Sequence, residues 1–268
     1  AAAIQKAIQN TGMPKGVFQH VYGSGFEVGQ SLVKHPLTKA VGFTGSFAGG
    51  KALFDLANQR PVPIPVFAEM SSINPVVLLP ETLSRDAGVT ANKLVASITL
   101  GVGQFCTNPG LIIAIEGEGL NRFIPSLSSE IQKALPGHML HQGVADNYQN
   151  KLKQALAQKG VSVEGQSTEA GDKEQGRPVV ASAPAEEFIK NPTLAEEVFG
   201  PFSLIIRCKN TDEFHSVINR IRGQLTITVM ADEAELMKHK NLLNILAEKA
   251  GRLKMNGVPT SVEDCPAM

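Results

Sequence analysis

Two rhythms alternate along the chain: short apolar runs, and stretches in which apolar residues return every three to four positions. The first is the pattern of strands and the second that of amphipathic helices. Residues 1–10 read as a helix and "GVFQHVY" (16–22) as a strand. "KAVGFTG" (39–45) is a strand running into a turn, followed by a helix from Ser46 to Gln59. "VPIPVFAEM" (62–70) ends a strand on Glu69 and Met70, and "PVVLLP" (75–80) is another short strand. In the long helix that follows, Ala91, Leu94, Val95 and Ile98 share one face. "GLIIAIE" (110–116) reads as a strand. Leu120, Phe123, Ile124, Leu127 and Ile131 mark the next helix, and Val144, Tyr148, Leu152 and Ala155 another. The polar, glycine-rich segment 164–178 is expected to be an exposed loop. "PVVAS" (178–182), "FSLIIRC" (202–208) and "LTITVM" (225–230) are strands, with helices between and after them. The alternation predicts an α/β architecture with substantial parallel pairing and a boundary near residue 70.

Composition narrows the function classes. The 268 residues are 43% hydrophobic with formal net charge +0, so bulk attraction to nucleic acid or an anionic membrane is not expected. No apolar run approaches the roughly 20 residues of a membrane helix, and Trp is absent. Three cysteines and no signal peptide favour a reducing cytoplasm over a disulfide framework. The chain opens on "AAAIQKAIQN" without Met and stops at "EDCPAM" without a helix or turn signal, which leads to the expectation of a piece of a longer polypeptide.

Four segments carry candidate chemistry. "GVGQFCTNPG" (101–110) sets Cys106 among glycines and polar residues, where little can shield it; a thiolate there would be a nucleophile, whereas a small buried apolar residue is the plainer alternative. "FTGSFAGGKALFDLA" (43–57) runs a strand through Gly45 and Ser46 straight into a helix, whose unpaired N–H groups form a seat for phosphate that Gly50 would let the backbone approach. A simple strand–turn–helix with Ser46 as N-cap explains the same residues. Glu69, closing an apolar strand, would be half-desolvated, the setting of a general base; an ordinary edge carboxylate is the alternative. "EEVFGPF" (196–202) joins an acid pair, an aromatic and Gly-Pro in a rigid turn. Cys208 reads as core packing, Cys265 is undetermined, and His138 and His141 read as a surface turn rather than a metal site.

In this order, over almost the whole chain, these segments resemble the aldehyde dehydrogenase superfamily. "GQFCTNPG" and "NGVPTSVEDCPAM" are most similar to its branch acting on 2-oxoglutarate semialdehyde (2,5-dioxopentanoate), with fatty-aldehyde dehydrogenases nearby. The resemblance implies Cys106 as nucleophile and Glu69 as general base. It implies Gly45, Ser46 and Gly50 under the cofactor pyrophosphate, Glu197 on the nicotinamide ribose and Phe199 beside the nicotinamide. It further implies a cofactor of NAD or NADP, not tightly held by this chain, a small aldehyde as substrate, and a homo-oligomeric parent. The fold implied is an α/β aldehyde-dehydrogenase-like one: the second half of a Rossmann-type dinucleotide-binding domain over 1–69, and most of a catalytic domain with a mainly parallel sheet over 70–268. "MSSINP" departs from the family's usual lysine-bearing stretch, with Ile73 where that lysine often stands. The first cofactor strands and an oxyanion-binding Asn would lie upstream of Ala1, so this chain alone is expected to be weakly active. Two other classes fit Cys106 without the resemblance: a cysteine hydrolase or acyltransferase, and a non-catalytic folded piece.

Overall fold

The structure, a computed structural model, describes residues 1–23 and 25–261. The chain divides into two compact units, Ala1–Ser71 and Ser72–Met268.

The first unit contains α1 (Ala2–Thr11), α2 (Gly25–Lys34), β1 (Val41–Thr44), α3 (Phe47–Asn58) and β2 (Val66–Glu69). β1 and β2 pair in parallel, with Val41 opposite Val66 and Thr44 opposite Glu69. Its small core comprises Val33, Ala57 and Ile64, with Val41, Leu53, Leu56 and Val66 packed against them. Segment 16–22, expected to be a strand, is irregular; the Phe18 ring stacks on His20, which meets Tyr22 edge-on.

The second unit follows the order β3 (Val76–Leu78), α4 (Pro80–Thr99), β4 (Leu111–Ile115), α5 (Glu118–Lys133), β5 (Gly137–His138), α6 (Gln142–Leu156), β6 (Ser162–Gln166), β7 (Gln175–Gly176), β8 (Val179–Pro184) and α7 (Ala185–Lys190). It continues with β9 (Phe202–Cys208), α8 (Thr211–Arg220), β10 (Gln224–Met230), α9 (Glu233–Lys238), α10 (Lys240–Lys249) and β11 (Ala250–Met255). Seven strands form one sheet in the order β11-β10-β3-β4-β9-β8-β6. The sheet is mixed, parallel through six strands and antiparallel at one edge. β11, β10, β3, β4, β9 and β8 run parallel to their neighbours, while edge strand β6 is antiparallel to β8, and β5 and β7 form a separate antiparallel ribbon. The antiparallel pieces arise within 137–176. Polar stretch 164–178, read as loop, supplies the end of β6 and all of β7, because strand pairing needs backbone bonds rather than apolar side chains.

Side-chain alternation sends neighbouring strand residues to opposite faces. Val77, Ile113, Leu204 and Ile206 join one core with Phe214 and Ile218 of α8, while Val76, Ile112 and Ile205 join the other with Leu94 of α4 and Phe123 of α5. Both faces are covered, which is why these strands read as continuous apolar runs.

Candidate active site

Cys106 follows a turn that few sequences can make. After α4 the backbone enters the left-handed region at three successive residues, Gly101 (φ 54°), Val102 (φ 59°) and Gly103 (φ 65°). For branched Val102 this conformation costs about 1–3 kcal/mol. Its side chain fills a slot that makes the cost tolerable: Gly137 and Gly176 are opposite each other in the β5–β7 ribbon, and a Cβ on either would fall within 2.6–2.8 Å of the Val102 methyls. Gln104 then locks the turn, its Oε1 accepting from the Leu140 N–H at 2.8 Å while its Nε2 donates to the Gly101 carbonyl at 3.1 Å. Cys106 emerges exposed.

The "EEVFGPF" turn is built onto this one. A Cβ on Gly103 would lie 2.3 Å from both the carbonyl carbon and oxygen of Gly200, so two backbones touch where no side chain fits. Gly200 has φ 154° and is pressed on its other side by the Tyr148 ring, 2.3 Å from where a Cβ would stand. Tyr148 is held by its hydroxyl, which donates to the Arg177 carbonyl at 2.6 Å, and burial pushes its pKa up. Asn108 completes the joint, its Nδ2 donating to the Gly200 carbonyl at 3.1 Å. Gly103 of the first motif and Gly200 of the second are therefore required by one contact.

A cleft with about 10 Å³ of enclosed space, room for one water, lies between the two turns. Asn108, Gly110, Glu197 and Phe199 line it with Ser72 and Ile73. Glu196 reaches out to Lys151, 2.7 Å away, while Glu197 is half-buried. Asn108 Oδ1 is buried beside the cleft with no hydrogen-bond partner among the described residues. Asn74, which the sequence reading passed over, sits behind the cysteine and is fully buried. Its side-chain nitrogen donates to the carbonyls of Cys106 at 2.8 Å and Asn108 at 2.9 Å. The available signal was "NP" within "MSSINP": Asn tolerates the left-handed conformation it adopts here, φ 43°.

The remaining candidates cluster in the first unit. Ser46 caps α3, its Oγ accepting from the Gly49 N–H at 3.2 Å, and the Phe47 N–H donates to Ser71 Oγ at 3.1 Å. Gly45 donates from its N–H to the Glu69 carbonyl at 3.0 Å. The first turn of α3 holds no acidic residue. Gly50 is buried; a Cβ there would meet Met70 at 2.5 Å, so the close approach it permits is to a side chain on the β2 side. Glu69 is exposed rather than half-desolvated, since β2 has only β1 beside it. Cys106 and the cleft-lining Glu197 and Phe199 thus fall in one unit, and Gly45, Ser46, Gly50 and Glu69 in the other. Cys208 is fully buried, and desolvation, then the charges of Glu213 and Glu116, push its thiol up to about 12. Cys265 lies outside the described residues. Among those described, no cluster of metal-ligating side chains occurs, and no helix is long and apolar enough to cross a membrane.

The second unit thus carries an exposed cysteine after a turn with three left-handed residues, and the first a parallel strand pair with a capped helix start. The profile of the aldehyde dehydrogenase family matches residues 1–267, and the chain belongs to that family. It is 47% identical over 266 residues, 99% of this chain and 51% of the relative, to alpha-ketoglutaric semialdehyde dehydrogenase 2 of Azospirillum brasilense. It is 44% identical to alpha-ketoglutaric semialdehyde dehydrogenase of Acinetobacter baylyi, covering 100% of this chain and 51% of the relative. The chain spans about half the length of these curated relatives. Its fold matches glyceraldehyde-3-phosphate dehydrogenase GapN of Methanocaldococcus jannaschii complexed with NADP (TM-score 0.78, 20% identity, 98% of this chain and 55% of that one). It also matches 1-pyrroline-5-carboxylate dehydrogenase from Thermus with bound NAD (TM-score 0.77, 21% identity, 97% and 51%).

Proposed function

We propose that the protein carrying this chain oxidises an aldehyde to a carboxylic acid with NAD or NADP, and that its substrate is 2-oxoglutarate semialdehyde. The observation that carries the reaction class is the exposed Cys106 after a turn braced against Gly200, in the same segment as Glu197 and Phe199. Likeness to two alpha-ketoglutaric semialdehyde dehydrogenases supports the substrate. The residues suit a dinucleotide: α3 starts without an acid that would repel phosphate. Glu197 and Phe199 line a cleft beside the buried, unsatisfied Asn108 Oδ1. In this reading the helix start at Gly45 and Ser46 holds the pyrophosphate, Glu197 the ribose and Phe199 the nicotinamide face, while Gly50 makes room for Met70. The cofactor, when bound, supplies the hydride acceptor.

The Cys106 thiolate adds to the aldehyde carbon and makes a thiohemiacetal, whose oxyanion the Cys106 backbone N–H helps stabilise. Loss of hydride from that carbon leaves an acyl thioester on Cys106. Glu69 takes a proton from water, the water oxygen adds to the thioester carbonyl, and the thiolate leaves as the acid forms. Activity belongs to the whole protein.

Absorbance of reduced nicotinamide, followed with 2,5-dioxopentanoate and with a simple aliphatic aldehyde, tests this. The expected result is growth that needs both aldehyde and cofactor, favours the dicarbonyl acid, and is lost in Cys106→Ala. Aldehyde-independent ester hydrolysis at Cys106 without nicotinamide reduction would instead favour a hydrolase.

A further inference from the structure

Asn74 spends each half of its carboxamide on a different part of the fold. On the oxygen side, Oδ1 accepts from the Thr226 hydroxyl at 3.0 Å and the Thr226 N–H at 3.3 Å, and it lies 2.9 Å from Ser72 Oγ. Those partners anchor it to β10, deep in the sheet. On the nitrogen side, one NH₂ group serves the carbonyls of Cys106 and Asn108, the residues on either side of Thr107. Gln224 steadies the same segment, its Oε1 accepting from the N–H groups of Ile73 at 2.8 Å and Asn74 at 3.2 Å. Close by, the Gly110 N–H donates to the Ile73 carbonyl at 2.9 Å. No other side chain type supplies two donors and an acceptor in this outline while tolerating φ 43°.

We propose that Asn74 is the positioning residue of Cys106: by holding the carbonyls of residues 106 and 108 inward, it fixes the peptide plane after the cysteine. Every peptide bond described is trans, so seating the Cys106 carbonyl on Asn74 turns the Thr107 N–H to the opposite side. Releasing that carbonyl lets the plane rotate, which changes the N–H groups presented around the thiol and with them its reactivity. Asn74 touches backbone, not reactant, and acts only through the loop. The inference rests on Cys106 being the nucleophile.

The test is the rate of iodoacetamide alkylation at Cys106, read by peptide mass spectrometry between pH 6 and 10 on the 268-residue chain. Two variants separate charge from geometry. Asn74→Asp keeps the outline, the left-handed tolerance and the acceptor but loses both donations; Asn74→Gly keeps the backbone and adds no charge. Both are expected to slow alkylation at neutral pH by roughly tenfold and to move its pH midpoint upward. Asn210→Ala, which removes the N-cap of α8, is expected to leave the rate unchanged at a similar loss of stability. Rates within twofold of the parent in both Asn74 variants overturn the proposal, and so does a change confined to one of them. If neither variant folds, the parent decides: its two Asn74 side-chain amide protons are expected to exchange slowly with solvent, and exchange as fast as surface amides overturns the proposal. Alkylation of the parent no faster than that of glutathione would count against the nucleophile reading itself, whatever the variants do.

Discussion

The two units use the same strand chemistry to opposite effect. In β1 and β2 half-buried and exposed positions alternate: Val41, Phe43, Val66 and Ala68 are partly covered, while Gly42, Thr44, Phe67 and Glu69 are open. In β3 and β9 nearly every residue is buried, whichever face it points to. A sheet clad on one side stabilises its strands through half of their side chains, and a two-stranded one is marginal in isolation. The first unit therefore rests on a small core, and Tyr22, Phe26 and Phe67 stand 70–80% or more exposed (81%, 79% and 71%). The second has an apolar layer on each face. Candidate chemistry follows the same division: the braced thiol sits on the well-packed unit, and the capped helix start and Glu69 on the thin one.

The difference is broken most directly by truncating one phenylalanine in each. Phe123 on α5 is fully buried, and Phe123→Ala is expected to cost about 3–5 kcal/mol. Phe67→Ala, at an exposed strand position, is expected to stay within about 0.5 kcal/mol in this chain. Urea unfolding of both variants checks this. Equal losses would mean that the first unit is as tightly built as the second.

Alkaline pH should loosen the second unit selectively. Cys208, held at about 12 by burial, has an unfolded pKa of about 8.5. Between these values the unfolded chain gives up the thiol proton and the folded chain keeps it. Stability is thus intact below about pH 8.5 and falls as pH rises toward 12, by at most about 1.4 kcal/mol per pH unit from this group. Tyr148, also raised by burial, adds to the fall. The measurable quantity is the difference in pH slope between the parent and Cys208→Ala, whose slope is expected to be shallower. Identical slopes would place the Cys208 thiol in contact with solvent.

This contrast also explains what the sequence disclosed. β9 falls on "FSLIIRC" without a residue's error, because a strand buried on both faces is one unbroken apolar run. β11 went unread: in "AGRLKM" charged residues interrupt the run, and only pairing with β10 makes it a strand. "GVFQHVY" misled in the other direction, having strand composition but no neighbour to pair with. At the candidate site, the exposure of Cys106 was legible from its small and polar flanks. The reason for the glycines was not, since Gly103 and Gly200 meet only through the fold. The partners of Asn74 were hidden for the same cause: they lie 32, 34 and 152 residues away.

The smallest effect separates local from tertiary support at the start of α3. Ser46 satisfies the Gly49 N–H, while Ser71 satisfies that of Phe47 from the residue pair after β2. Ser46→Ala removes a local cap and should cost about 1 kcal/mol. Ser71→Ala removes a tie across the unit and leaves an exposed N–H to water, so it should cost less, about 0.5 kcal/mol. If phosphate binds this helix start as proposed, the two substitutions diverge further once a dinucleotide is present. Ser71→Ala frees the Phe47 N–H for the anion and is expected to leave affinity equal or better; Ser46→Ala loosens the turn that presents it and weakens binding. Fluorescence titration with the reduced cofactors NADH and NADPH reads both. Equal weakening by the two serines would mean that the helix start is held by its caps alone and offers the anion nothing.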